Sequence, residues 1–122
     1  MSHIVEVKTQ VKDVEAVDAA CRRLQLEPPV RGSAELFSGT VSGVIVKLPG
    51  WKYPAVLDIE SGQAKYDNYG GAWGEKAELD RFLQAYATEK AKIEARRQGH
   101  TCTEQSLADG SIKLTINVGG VA

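Results

Sequence analysis

The 122-residue sequence predicts an α+β domain: a mainly antiparallel sheet with two helices packed on one face. Three observations lead there. Several short runs alternate apolar and polar residues with a period of two, as half-buried strands do. Two segments repeat apolar residues every three or four positions, as helices with one buried stripe do. Gly-bearing turns separate the strand-like runs, so hairpins join them rather than long crossovers.

From His3 to Val11 the residues Val5, Val7 and Val11 share a parity with Thr9, which reads as a first strand. Asp13 stands where an N-cap belongs, its carboxylate placed to accept from a free backbone N–H. Val14, Val17, Cys21 and Leu24 then form one helical face, with Cys21 expected to be buried as a small hydrophobe. Pro28 and Pro29 are expected to end this helix, since neither donates a helical hydrogen bond. Four strand-like runs follow: SAELFSG, SGVIVKL, PAVLDIE and QAKYDNY. The ESGQ between the last two is a hairpin turn, with Gly62 free to take a positive φ. A long helix is predicted from about Glu75 to Gln98, with Leu79, Phe82, Leu83, Tyr86 and Ile93 as its apolar stripe. Glu75 and Glu78 near its start and Arg96 and Arg97 near its end suit the helix dipole. Gly99 is placed as its C′ residue. The remainder reads as a hairpin turning at Asp109-Gly110. The order is β-α-β-β-β-β-α-β-β, for which a ferredoxin-like arrangement with extra strands is the expected topology.

Length and composition limit what this domain can be. The chain is one domain's worth, residues 1–122, and a core of that size needs no disulfide or metal to fold. Its net charge is −1, which argues against a broad electrostatic grip on nucleic acid or anionic lipid. No apolar run approaches the ~20 residues of a membrane helix. The first residues turn polar at Glu6 and Lys8, unlike a signal peptide. Cys21 and Cys102 form no CxxC, and free thiols without an export signal point to a reducing cytoplasm.

MSHI opening a strand, LPGWKYP, YDNYGGAWG and LDRFLQAYATEKA before a C-terminal hairpin together resemble a small family of proteins of unknown function. That family occurs in cyanobacteria, algal plastid genomes, other bacteria and phages. The resemblance spans nearly the whole chain and implies a small standalone protein. It implies no activity, cofactor or catalytic residue.

The residues themselves offer four candidate sites. His100 and Cys102 lie two apart on one strand face, and His3 would add a third ligand if the terminal strand ran beside the last hairpin. Zinc asks for three or four such ligands, and an exposed or hydrogen-bonded histidine with a packed thiol is the simpler reading. Asp58, Glu60 and Asp67 are candidates for a paired-carboxylate site, with Asn68 and Trp73 completing a pocket. They also alternate as a solvated strand face would. Arg22, Arg23, Lys90, Lys92, Arg96 and Arg97 offer a basic patch for nucleic acid, although the stacking-aromatic pattern of an RNA-binding sheet is absent. Finally, five of the eight aromatics fall between Trp51 and Trp73, in two Gly-bearing segments. Trp51, Tyr53, Asp67, Asn68, Tyr69 and Trp73 form the candidate binding set. Tryptophan and tyrosine are enriched at binding hot spots, but the same aromatics also serve as wedges between helix and sheet. Tyr66 is expected to point inward, and Trp73 or Tyr69 partly outward.

No hydrolase, P-loop, metalloprotease or dinucleotide signature is present. The leading expectation is therefore a small cytoplasmic interaction or accessory protein, without a cofactor, that binds a protein partner or itself through the aromatic-Gly loops and a sheet edge. A small-molecule binder or enzyme with a pocket near Asp58, Asp67 and Trp73 is the alternative, and a nucleic-acid binder a second one.

Overall fold

A computed structural model describes residues 4–118. Its elements are β1 (Val5–Lys8), α1 (Val14–Arg23), β2 (Val30–Leu36), β3 (Gly39–Val46), β4 (Ala55–Asp58), β5 (Gln63–Tyr66), α2 (Lys76–Arg97), β6 (Thr101–Ser106) and β7 (Ile112–Asn117). The first five strands form one sheet in the order β1-β5-β4-β3-β2, and β6 and β7 form a separate hairpin. Every neighbouring pair is antiparallel. The fold is thus α+β and mainly antiparallel. The ferredoxin-like topology is corrected, because that arrangement needs a split β-α-β pair of parallel strands. Among the described residues β1 pairs with β5 alone and stands at the sheet edge.

Register explains which face meets the helices. Val5, Val7, Ala64, Tyr66, Ala55, Leu57, Val44 and Val46 share one side of the sheet. They pack with Ala16, Val17, Ala20 and Cys21 of α1 and with Leu79, Phe82, Ala85, Tyr86 and Ile93 of α2. The Tyr86 hydroxyl ties the helices to the entry of α1. It accepts from the backbone N–H groups of Lys12 and Asp13, each at 3.1 Å. Cys21 is fully buried, and burial pushes its thiol up to about 11.

The helix termini show where residue type was a good guide. Asp13 caps α1 as expected, its Oδ1 accepting from the N–H of Glu15 at 2.9 Å. Lys90 reaches Asp13 Oδ2 at 2.9 Å and holds that carboxyl below its ordinary range. Gly99 takes φ 79° at the end of α2, with His100 N–H donating to the Ala95 carbonyl at 2.8 Å, as a C′ glycine does. The same motif ends α1 before the prolines are reached. Leu26 N–H donates to Cys21 O at 2.8 Å, and Gln25 N–H to Arg22 O at 3.1 Å. Gln25 adopts φ 58° there, a conformation that its side chain does not advertise. Val14, assigned to the apolar face, is exposed instead, because α1 packs against α2 and the core through a different stripe, Ala16, Val17, Ala20 and Cys21.

Part of the second face of the sheet is covered by the β2–β3 ribbon, while Glu6 and Lys8 of β1 stay exposed on that face. β3 pairs with β4 only through Val44, Ile45 and Val46, and Val46 lies at the end that holds Ala55 and Tyr66. A straight β3 would carry Ser38 roughly 17 Å beyond Gly43, away from that end. Yet the Ser38 hydroxyl donates to Asp67 Oδ2 at 3.2 Å, and Gly39 approaches Ile4. The β2–β3 ribbon therefore creases and folds back across the sheet. The crease falls at Gly32 and Gly43, which are register partners. A Cβ on Gly43 would overlap the Leu57 carbonyl oxygen and lie 3.1 Å from Val56 Cγ1. Val56, on the side away from the helices, is buried where the ribbon crosses it, and Leu36 near the ribbon tip is buried as well. The predicted strand SAELFSG accordingly ends at Leu36, and Phe37 and Ser38 form the tip.

The terminal hairpin is tied by charge to both helices, through Arg23 of α1 and Lys92 of α2. Arg23 makes two contacts with Glu104, at 3.1 and 2.5 Å, and Lys92 a third at 3.1 Å. The hydrogen bond from Arg23 pulls the Glu104 carboxyl down to about 2, with Lys92 assisting. A depressed folded pKa contributes stability that is complete above the ordinary glutamate value of 4.5 and is lost as pH falls through about 2. Acidification across that window is expected to loosen β6–β7 from α2. A carboxyl-resolved NMR titration reads the Glu104 midpoint directly. In Glu104→Gln the hairpin amides should show no pH-dependent change across the window.

Candidate functional site

The stretch YDNYGGAWG is a joint between β5 and α2 and is tightly bonded. Gly71 and Trp73 N–H groups both donate to the Asn68 carbonyl at 2.9 Å, closing a 3-10 turn over Tyr69–Gly71. The Asn68 side chain donates to Gly74 O at 3.2 Å. Tyr69 itself holds φ 50°, a left-handed conformation uncommon for a residue with a side chain. Lys52 N–H donates to Trp73 O at 2.8 Å, which fastens the LPGWKYP segment to this turn. The two Gly-bearing segments singled out in the sequence are therefore one structural unit.

Its two tryptophans have different roles. Trp51 faces the core: its ring lies 5.4 Å edge-on from Tyr66, and its indole N–H donates to Glu75 O at 3.0 Å. A Cβ on Gly74 would stand 2.5 Å from the Trp51 ring, so only glycine lets the chain pass there into α2. Trp73 turns the other way and sits at the centre of a surface cluster. Tyr69 stacks on it at 4.8 Å, Phe37 lies at 5.3 Å and Tyr53 at 5.6 Å. The ammonium of Lys52 stands 4.7 Å from the Trp73 ring centroid, within cation–π range. Phe37 is 62% exposed and Tyr69 45%.

Phe37 was absent from the sequence-derived set. It is distant in the chain and enters only because the creased ribbon carries its tip to Trp73. The sequence carries no local signal for it, since Phe37 reads there as part of the strand-like run SAELFSG. Asp67 and Asn68, by contrast, are buried, at 1% and 7% exposure. They shape the turn from within. Asp67 Oδ2 accepts from Ser38, while its Oδ1 is buried without a partner among the described residues.

The carboxylate pocket does not assemble. Asp58 pairs with Gln63 at one end of the β4–β5 hairpin, and Asp67 follows Tyr66 at the other, roughly 13 Å along the strand. Asp58 instead accepts from the N–H groups of Glu60 and Ser61 and shapes its own turn, and its carboxyl is lowered by the Ser61 bonds. His100 and Cys102 are both partly buried, and among the described residues no three His, Cys, Asp or Glu side chains converge to hold a metal. His3, the proposed third ligand, lies outside the described residues. The basic residues are largely engaged. Arg22 pairs with Asp18, Arg23 with Glu89 and Glu104, Lys90 with Asp13 and Glu94, and Arg97 with Glu15 and Glu94. Arg22, Arg23, Lys92 and Arg96 do line one surface depression, but they share it with Glu89, and Arg22, Arg23 and Lys92 are held in ion pairs with carboxylates.

No protein-family model, curated protein or solved structure matches this chain. Nor is any described helix long and apolar enough to cross a membrane. The functional reading thus rests on the aromatic surface and its surroundings.

Proposed function

We propose that this protein is a small cytoplasmic accessory module that binds a protein partner through the surface of Phe37, Tyr53, Tyr69 and Trp73. The observation that carries the reading is the exposure of Phe37 and Tyr69 against a rigidly held Trp73. Large aromatics on a preformed surface lose little entropy on binding and are the residues most enriched at hot spots. Lys52, at the rim over Trp73, adds a positive charge that favours an acidic group beside the partner's apolar anchor. The resemblance to a family of small standalone proteins is consistent with an accessory role. The small-molecule alternative loses support from the separation of Asp58 and Asp67, and the nucleic-acid alternative from the pairing of the basic residues.

The test compares capture by the unaltered chain with capture by Phe37→Asp, followed by titration against the purified partner. Phe37→Asp changes an exposed turn residue and should leave the melting temperature within a few degrees. It is expected to weaken the partner by about 2 kcal/mol or more, the range of a hot spot. A partner that binds Phe37→Asp and Trp73→Ala as tightly as the unaltered chain would place the functional surface elsewhere.

A further inference from the structure

The free edge of β1 is a second exposed feature of the sheet, and it begins beside the ribbon tip, where Gly39 approaches Ile4. β1 pairs with β5 on one side and with nothing on the other among the described residues. Beside that edge, between β1 and α2, runs a groove of about 750 Å3 lined mainly by apolar side chains, including Val7, Val11, Leu83, Ala87 and Ala91. The opposite edge of the sheet, β2, curls away at its Gly32 crease, a device that protects edges from pairing. β1 has no crease, bulge or proline, and its protection is limited to its four-residue length and the charges of Glu6 and Lys8.

Which backbone groups β1 offers follows from its ladder. Thr9 N–H donates across to Gly62 O at 2.9 Å. Antiparallel bonding alternates, so Val7 and Val5 also turn their backbone groups toward β5. Glu6 and Lys8 turn theirs outward. Two β1 edges meeting about a two-fold axis must therefore set even-numbered residues opposite one another. Three registers centred on the strand do so. One sets Glu6 against Glu6 and another Lys8 against Lys8, and like charges directly opposite destabilise a pair. The third is centred on Val7 and sets Glu6 of each copy against Lys8 of the other, two complementary pairs. In that register Val7 meets Val7 over the groove.

We propose that two copies of this chain associate through β1, antiparallel about Val7, to make one continuous sheet. The two-fold axis runs perpendicular to the sheet, so all helices stay on one face. A short edge interface of this kind belongs to the small, weak class, so the dimer forms reversibly and with rising concentration.

Charge exchange tests both the dimer and its register. Sedimentation equilibrium of the full chain is expected to show a monomer–dimer equilibrium. Glu6→Lys alone and Lys8→Glu alone each turn both attractive pairs repulsive, and each should weaken the dimer about tenfold or more. The double variant Glu6→Lys/Lys8→Glu restores two complementary pairs and should return the affinity to within about threefold of the unaltered chain. Both side chains are exposed, so folding is checked simply by unchanged melting of the dilute monomers. Val7→Cys, in a Cys102→Ser background, should cross-link two copies under mild oxidation, since residues facing across a non-bonded antiparallel pair lie ~4.5 Å apart at Cα. A chain that stays monomeric up to about 1 mM overturns the proposal. So does a double variant as weak as the single ones, or a Val7→Cys protein that does not cross-link.

Discussion

Gly43→Val is expected to destabilise the protein by about 3 kcal/mol, at the upper end for an overpacked site. At this crease the ribbon crosses β4 so closely that a Cβ would overlap the Leu57 carbonyl oxygen. That neighbour is backbone in a central strand, held by pairing on both sides, and has nowhere to move. The ribbon must lift instead, which uncovers Val56 and Leu36 and pulls Ser38 from Asp67. Urea unfolding followed by far-ultraviolet circular dichroism gives the stability change. Tryptophan emission of the native variant should also shift to the red, because Phe37 would leave Trp73. Gly32→Ala, at the register partner, is the control. Its nearest neighbour is the flexible end of the Ile45 side chain at 3.9 Å, so a change within about 0.5 kcal/mol is expected. Equal costs at both glycines would mean that the crease is not set by contact with β4.

The two tryptophans should separate stability from binding. Trp51→Ala is expected to cost about 3 kcal/mol, at the low end for truncating a large aromatic, since the ring packs on the core but retains some exposure. It removes the edge-on contact with Tyr66, leaves the Glu75 carbonyl without its indole donor and opens a void beside Gly74. Trp73→Ala removes a ring that is only partly buried and whose neighbours are themselves at the surface. Its stability cost should be about half that of Trp51→Ala, while partner binding falls by about 2 kcal/mol. Chemical unfolding of both variants, paired with titration of the partner, makes the comparison. If Trp73→Ala were the costlier change and binding were intact, YDNYGGAWG would be architecture alone.

Much of this could be read locally. Asp13 as a cap, Gly99 as a C′ residue, Gly62 in the ESGQ turn and the stripe of α2 are all set by chemistry within a few residues of the chain. Side-chain hydrogen bonds to nearby N–H groups and the steric freedom of glycine operate over that range, so the order of elements and the α+β class were legible. The end of α1 was not, because Gln25 occupies a left-handed position usually marked by glycine.

Strand order and the aromatic surface depended on contacts that no local pattern encodes. Alternation in β1 and in β5 says that each has a buried face, but not which strands are neighbours. Asp58 and Asp67 looked close because one hairpin links them, yet antiparallel register sends them to opposite ends. Phe37 joined Trp73 because Gly32 and Gly43 happen to face each other and let the ribbon fold back over Val56. The order of elements, the Asp13 and Gly99 caps and the turn chemistry are short-range and could be read from neighbouring residues. That β1 is an edge, that the β2–β3 ribbon folds over part of the second face and that four aromatics share one surface emerge only with the three-dimensional packing. Those outcomes follow from long-range packing, in which residues far apart in the chain compete to bury the same apolar area.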